Sequence, residues 1–160
     1  MADTIHGATL RFSRETLSTI RSGQLEELLE RHYREIAHFK DIALDIAWDV
    51  YEMAEAQGKL RCFSARFGGD LVGYLAHIVN WNPHYRSSLQ AIQDVIFIAP
   101  ERRGLFAGSR LIAYADACLA EEGVQAVYHH AKAAFPMDSI LKRNGYELVD
   151  TLWAKRLDGK

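Results

Sequence analysis

The stretch Leu71–Val79 reads Leu-Val-Gly-Tyr-Leu-Ala-His-Ile-Val, apolar almost from end to end. A run of that kind predicts a strand buried on both faces, because a strand with one wet face alternates apolar with polar residues. Leu60–Arg66 forms a second strand-like run just before it. Phe67-Gly68-Gly69-Asp70 between them is a tight hairpin signal, since glycine tolerates positive φ. Upstream the period is helical. Leu25, Leu28, Leu29, His32, Tyr33 and Ile36 recur on one face of a 3.6-residue repeat that begins near Gln24. A second helix is expected from Leu44 to Ala56, with Ala47, Val50, Tyr51 and Ala54 inward and Gly58 as its stop.

Downstream, Ala91–Ile98 predicts a strand ended by Pro100, and Gly104–Glu122 a strong amphipathic helix capped by Gly123. Val124–Ala131 then reads as a strand, Met137–Asn144 as a short helix and Tyr146–Lys155 as a final strand. Ala8–Arg14 makes a short first strand, and the seven residues before it read as a loose end. No linker, repeat or low-complexity segment interrupts the pattern. The expectation is one domain over residues 1–160, of mixed α/β (or α+β) class.

Composition narrows the function classes. With 19 Lys plus Arg against 21 Asp plus Glu, no positive excess draws the whole chain onto nucleic acid. The cysteines Cys62 and Cys118 are too few for a disulfide scaffold and lack metal-ligand spacing, so no metal is expected. No charged head followed by an apolar stretch marks a secretory signal, and no apolar run reaches the roughly 18 residues of a membrane span. A cytoplasmic protein without a membrane partner is the expectation. A sheet edge or the final strand could support a homodimer.

The most informative stretch runs from Asp94 to Arg110: an apolar strand, a glycine-containing basic loop, then directly a helix. The first turn of such a helix presents unpaired N–H groups and the positive end of its dipole. Gly104 and Gly108 let backbone approach a phosphate, while Arg102, Arg103 and Arg110 bring charge. A P-loop is excluded because no Gly-Lys-Ser/Thr follows. The dinucleotide fingerprint is excluded because its three glycines are missing.

The stretch resembles the acetyl-CoA-binding segment of the GNAT superfamily of N-acetyltransferases. There, a strand ending in V-x-P precedes R-G-x-G-x-G or A and a helix. The counterparts are Ile98-Ala99-Pro100 and Arg103-Gly104-Leu105-Phe106-Ala107-Gly108, with Phe106 in place of the family's middle glycine. The order of elements from about Leu25 is also similar, and Lys142-Arg143-Asn144-Gly145-Tyr146 resembles the family's late helix, Gly-Phe, strand junction. The feel is closest to small GNAT-like proteins of phage and prophage genomes. The resemblance implies a mixed central sheet with splayed middle strands flanked by helices. It implies acetyl-CoA as acyl donor, bound by Ile96, Phe97 and Ile98 and by Arg103, Gly104, Leu105, Phe106, Ala107, Gly108 and Ser109. The acceptor would be the amine of a small molecule or a peptide.

Direct attack on a thioester needs a neutral amine, and free alkyl amines have pKa values near 10. Asp94, an acid within an apolar strand and expected to be mostly buried, is the first candidate base. His129 and His130 lie at the end of the strand lining the proposed gap. As neighbours they point to opposite faces, so one turns toward the cleft for proton traffic. Tyr85, in the loop before the cofactor strand, is the further candidate. The family's acid tyrosine and its usual asparagine are here Leu141 and Ala134, which leaves open a catalytically silent scaffold that holds CoA structurally.

Overall fold

The computed structural model describes residues 4–5, 8–104 and 106–159. A tight turn at Gly68 (φ 61°) and Gly69 (φ 98°) joins β3 (Leu60–Phe67) to β4 (Asp70–Trp81). Two successive positive φ values match the right-handed twist of the flanking strands, as the Gly-Gly pair predicts. β2 (Ala8–Glu15) pairs antiparallel with β3, and β4 pairs antiparallel with β5 (Leu89–Ile98). β6 (Ala126–Tyr128) runs parallel to β5, and the two residues of β1 (Thr4–Ile5) border β2. The sheet order is β1-β2-β3-β4-β5-β6. As its composition requires, β4 is buried on both faces over most of its length.

One face carries α4 (Ala107–Glu121), whose Leu111, Ile112, Ala115 and Leu119 are fully buried against Phe63, Leu75, Val79 and Ile98. α5 (Asp138–Arg143) packs beside it. The other face is covered by α1 (Leu17–Arg21), α2 (Leu25–Ile36) and α3 (Trp48–Ala56), lying on Cys62, Tyr74, Ala76 and Phe97. The result is an α/β domain with helices on both sides of a mixed sheet.

Two features of β5 position the site. First, its pairing with β6 covers only Gln90–Ile92 against Ala126–Tyr128, so from Gln93 to Ile98 no strand among the described residues pairs with it on that side. This is the splay that the resemblance implies. Second, the register against β4 shifts between Ala76, opposite Val95, and His77, opposite Gln93. Asp94 is the extra residue of a β-bulge.

Several boundaries differ from the sequence expectation. α1 is additional, its start capped by the Thr16 hydroxyl accepting from the Thr19 N–H at 3.2 Å. α3 begins at Trp48 rather than Leu44. Leu44 and Ile46, two residues apart, both line one cavity, a spacing that extended chain serves and a helix does not. The long helix begins at Ala107 rather than Gly104, after a 3₁₀ turn at Pro100–Arg102 and a short loop. Of the supposed loose end, Thr4–Ile5 pairs with β2, and residues 1–3 and 6–7 lie outside the described residues. Residues 146–155 form no strand, because β6 stops at Tyr128 and provides no ladder for a further one. Among the described residues no helix is long and apolar enough to cross a membrane.

Candidate functional site

β5 passes through Ala99 and the 3₁₀ turn into the first turn of α4, the junction singled out in the sequence. Phe106 occupies the N-cap in the left-handed region, φ 56° and ψ 30°. That conformation suits glycine and strains other residues. The substitution of Phe for the family's glycine therefore leaves the backbone in a glycine-like shape. The Arg143 guanidinium covers the ring, 4.3 Å from its centroid. Leu105 lies outside the described residues. A Cβ on Gly104 would meet nothing within 4 Å, and one on Gly108 only ordinary contacts at 3.8 Å with Ile98 and Ile140. Ala107 is fully buried.

The arginines and Ser109 are already committed. Arg103 donates from Nε to the Ile98 carbonyl at 3.0 Å and pairs with Glu35 at 2.7 Å, tying the end of β5 to α2. Arg102 stacks on Phe67 at 4.1 Å and Arg110 on Phe12 at 5.3 Å. The Ser109 hydroxyl accepts from Asn144 Nδ2 at 2.9 Å, joining α5 to α4. What the junction offers an anion is thus chiefly backbone, the first-turn N–H groups of α4, with open space at Gly104. An extended thioester arm beside the unpaired edge of Ile96–Ile98, its phosphates at this turn, suits these residues.

The opposite face of β5 borders a cavity of about 360 Å³ between the sheet and α1, α2, α3 and the 37–46 loop. Its walls are mostly apolar, with Leu17, Ile20, Leu25, Leu29, Ile46 and Trp48 among them. Asp94 and Val95 bring β5 to the cavity, and Asp94 accepts from the Tyr51 hydroxyl at 2.7 Å. Burial, and then that hydrogen bond, raise the Tyr51 phenol well above its usual value, so it stays a donor. Asp94 is exposed, not mostly buried as expected, because the strand beside it is missing. Deeper in, His32 Nδ1 is hydrogen-bonded to the Tyr74 hydroxyl at 2.7 Å, and its ring stacks on Phe97. Burial lowers the His32 pKa to about 4, so the ring is neutral at pH 7. His32 and Tyr33, which the first helix was expected to bring to the edge of an acceptor site, do line the cavity, together with Lys132 and with Tyr74, which the sequence reading did not select. The helix face carrying His32 was visible, but its long-range partner Tyr74 was not.

The histidine pair divides between core and solvent. His129 lies on the α4 face, its Nδ1 2.6 Å from Gln93 Oε1 and its ring edge-on to both His77 and Tyr146. Burial lowers His129 to about 4 and His77 to about 3. Tyr146 donates to Asp116 at 2.7 Å. His130 is exposed, and its carbonyl accepts from Gln93 Nε2 at 3.5 Å. Neither histidine lines the cavity, and neither does Tyr85, which is 67 % exposed and bonded within its own loop to Asn82. Of the four candidates for chemistry, the cavity receives Asp94. Among the described residues no cluster of three or more His, Cys, Asp or Glu could hold a metal ion.

Known structures share this arrangement. A transcriptional regulator from Bacillus halodurans superposes with a TM-score of 0.74 at 16% identity, covering 92% of this chain and 99% of its own. Glucosamine-6-phosphate N-acetyltransferase from Arabidopsis thaliana gives 0.71 at 12% identity, with 94% and 99% covered. A predicted acetyltransferase with acetyl-CoA from Clostridium acetobutylicum gives 0.69 at 13% identity, with 92% and 96% covered. At these identities the likeness is one of fold. No curated protein matches the chain in sequence. The acetyltransferase (GNAT) family profile, however, matches residues 23–137, which span α2 and α3, strands β3 to β6 and the α4 junction, and the chain belongs to that family.

Proposed function

We propose that this protein transfers an acetyl group from acetyl-CoA to a primary amine, by direct attack in a ternary complex. One observation carries the reading: the unpaired edge of β5 lies between the first turn of α4 and a cavity that holds a carboxylate. The pantetheine arm pairs with Ile96–Ile98, and the pyrophosphate sits at the turn of Gly104, Phe106, Ala107, Gly108 and Ser109, with Leu105 and Arg103 completing the loop. The amine enters from the cavity, and Asp94, held by Tyr51, takes its proton. The amine nitrogen bonds to the carbonyl carbon, a β5 N–H stabilises the oxyanion, and the C–S bond then breaks. Leu141 offers the thiolate no proton, so the sulfur is protonated from water. His130, exposed beside the gap, passes the amine's proton to solvent, while His129 and Tyr85 act from outside the cavity. One domain over the whole chain, a cytoplasmic location and a homodimer belong to the same proposal.

Acetyl-CoA at a hundred times its Kd stabilises the fold by about 2.7 kcal/mol, seen as a rise in Tm. With a competent amine it releases thiol. Asp94→Asn retains the rise and lowers the rate by roughly 10²-fold. No rise at saturating acetyl-CoA overturns the donor site. A second reading, a silent scaffold, is favoured by Leu141 packing as an apolar residue against the α4 core. It predicts the rise in Tm with no thiol release for any amine.

A further inference from the structure

The cavity says more about the acceptor than that it is an amine. Among its described lining residues Asp94 is the only carboxylate, and Lys132 is the only lysine or arginine. Tyr51 binds Asp94, and Tyr33 spends its hydroxyl on the Ile42 carbonyl at 2.5 Å. His32 and Tyr74 are bonded to each other, and beyond them and the Cys62 thiol the wall is aliphatic and aromatic. A polyamine or an aminoglycoside would leave its further ammonium groups unpaired against that wall, and a sugar phosphate would find one lysine for its phosphate. A smaller hollow of about 240 Å³, carrying Glu26, Glu30 and Asp45, shares the wall formed by Leu29, Leu44, Ile46 and Trp48. Its charge draws a cation toward the mouth without reaching the interior.

We propose that the acceptor is a primary amine on a compact apolar body, aryl or branched alkyl, with its nitrogen at Asp94 and its body among Leu29, Ile46 and Trp48. That assignment rests on the acetyltransferase reading. The test compares 2-phenylethylamine, ethylamine, spermidine and kanamycin as acceptors with acetyl-CoA. Burying the ring should raise kcat/KM for 2-phenylethylamine over ethylamine by at least about tenfold. It should also exceed the values for spermidine and kanamycin. Ile46→Asp and Leu44→Asp, both in the loop wall, should each collapse the ratio between the two small amines, a readout independent of how much variant is folded. Spermidine or kanamycin as the better acceptor, or an unchanged ratio in both variants, overturns the assignment. If acetyl-CoA raises Tm but no amine reacts, the acetyltransferase reading fails. The cavity is then decided by 2-phenylethylamine alone. A rise in Tm that Ile46→Asp abolishes supports an apolar amine site, and no rise rejects it.

A different part of the molecule carries a second inference. Residues 147–155 follow α5 with neither turn nor bend, and their backbone makes no hydrogen bond to other backbone among the described residues. Leu148 (83 %), Val149 (66 %), Leu152 (83 %) and Trp153 (91 %) are exposed along this arm. Its ends are nevertheless tied down: Tyr146 to Asp116, and Arg156 to Asp41 at 3.0 Å and over Phe39 at 5.1 Å. Strand edges and apolar side chains held out in this way are a template for pairing. The charges choose the partner, because Glu147 and Asp150 lie in the first half and Lys155 in the second, Arg156 being already paired with Asp41 and Asp158. Antiparallel contact with an identical arm sets acid against base; parallel contact sets like against like.

We infer that the arm is the interface of a homodimer, paired antiparallel with the arm of a second copy about a two-fold axis near Thr151 and Leu152. Sedimentation equilibrium at micromolar concentrations should give twice the monomer mass, and Trp153→Asp should give the monomer. Thr151→Cys should form an intermolecular disulfide on oxidation. A monomer at every concentration overturns the inference. So does a dimer that survives Trp153→Asp and is not cross-linked through Thr151→Cys.

Discussion

Phe106 shows how a single residue can keep a backbone shape that its side chain does not favour. Its left-handed φ costs about 1–2 kcal/mol for an L-residue other than glycine. Phe106→Gly and Phe106→Ala both lose the Arg143 contact, but only the glycine variant removes that cost. Urea denaturation should therefore rank the glycine variant above the alanine variant by about 1 kcal/mol. Equal midpoints would show that the loop is not strained. His32, His77 and His129 set a pH dependence. Burial holds them near 4, 3 and 4 in the folded chain, below the ordinary 6.5. Above pH 6.5 both folded and unfolded chains keep these rings neutral, and stability is full. Below it the unfolded chain takes up protons that the folded one refuses. Stability thus falls as pH drops from about 6.5 toward 4, by up to about 1.4 kcal/mol per pH unit for each ring. Denaturation midpoints at pH 7 and pH 5 should differ, and His77→Leu should reduce the difference. The residue types of the site could be read from the sequence, and Asp94 above all stood out from its apolar strand. Its pairing with Tyr51 joins residues 43 positions apart, which no local pattern encodes.

At the scale of elements, strands and helices followed their hydrophobic periods closely where both ends carried a turn or cap signal. β3, its Gly-Gly turn, β4 and α4 are examples. The misses occurred where a tertiary partner decides the conformation. Residues 44–47 have helical composition but stay outside the helix, where Leu44 and Ile46 line a cavity, and 146–155 have strand composition without a strand beside them. The contact between β4 and β5 is set by Gly73. A Cβ there would overlap the Ile98 side chain and lie 2.9 Å from the Phe97 carbonyl oxygen. The side chain can move, but the carbonyl belongs to the strand proposed to hold the acyl donor. Gly73→Ala should destabilise by roughly 1–3 kcal/mol and weaken the acetyl-CoA-dependent rise in Tm. A variant of wild-type stability would show that the strands part easily.

For the whole molecule, two apolar cores lie on opposite faces of one sheet and share its central strands. β4 gives Leu75 and Val79 to the α4 side and Tyr74 and Ala76 to the α1–α3 side, so neither core can dissolve while the other keeps its wall. Unfolding should be a single transition, with tryptophan fluorescence and far-ultraviolet dichroism giving coincident curves in urea. Separate midpoints would mean that the layers fail independently. The bulge at Asp94 acts at this scale too, as a change of parity within β5. Before it, odd-numbered Ala91 and Gln93 look toward α4; after it, even-numbered Ile96 and Ile98 do. Val95 and Phe97 thereby join the opposite core, and Asp94 and Val95 become consecutive residues on the same cavity. Removing residue 94 would delete the carboxylate and straighten the strand, yet leave both of its halves on their present faces. Val95 would follow Gln93 in regular alternation, opposite Ala76 and His77, which are already neighbours.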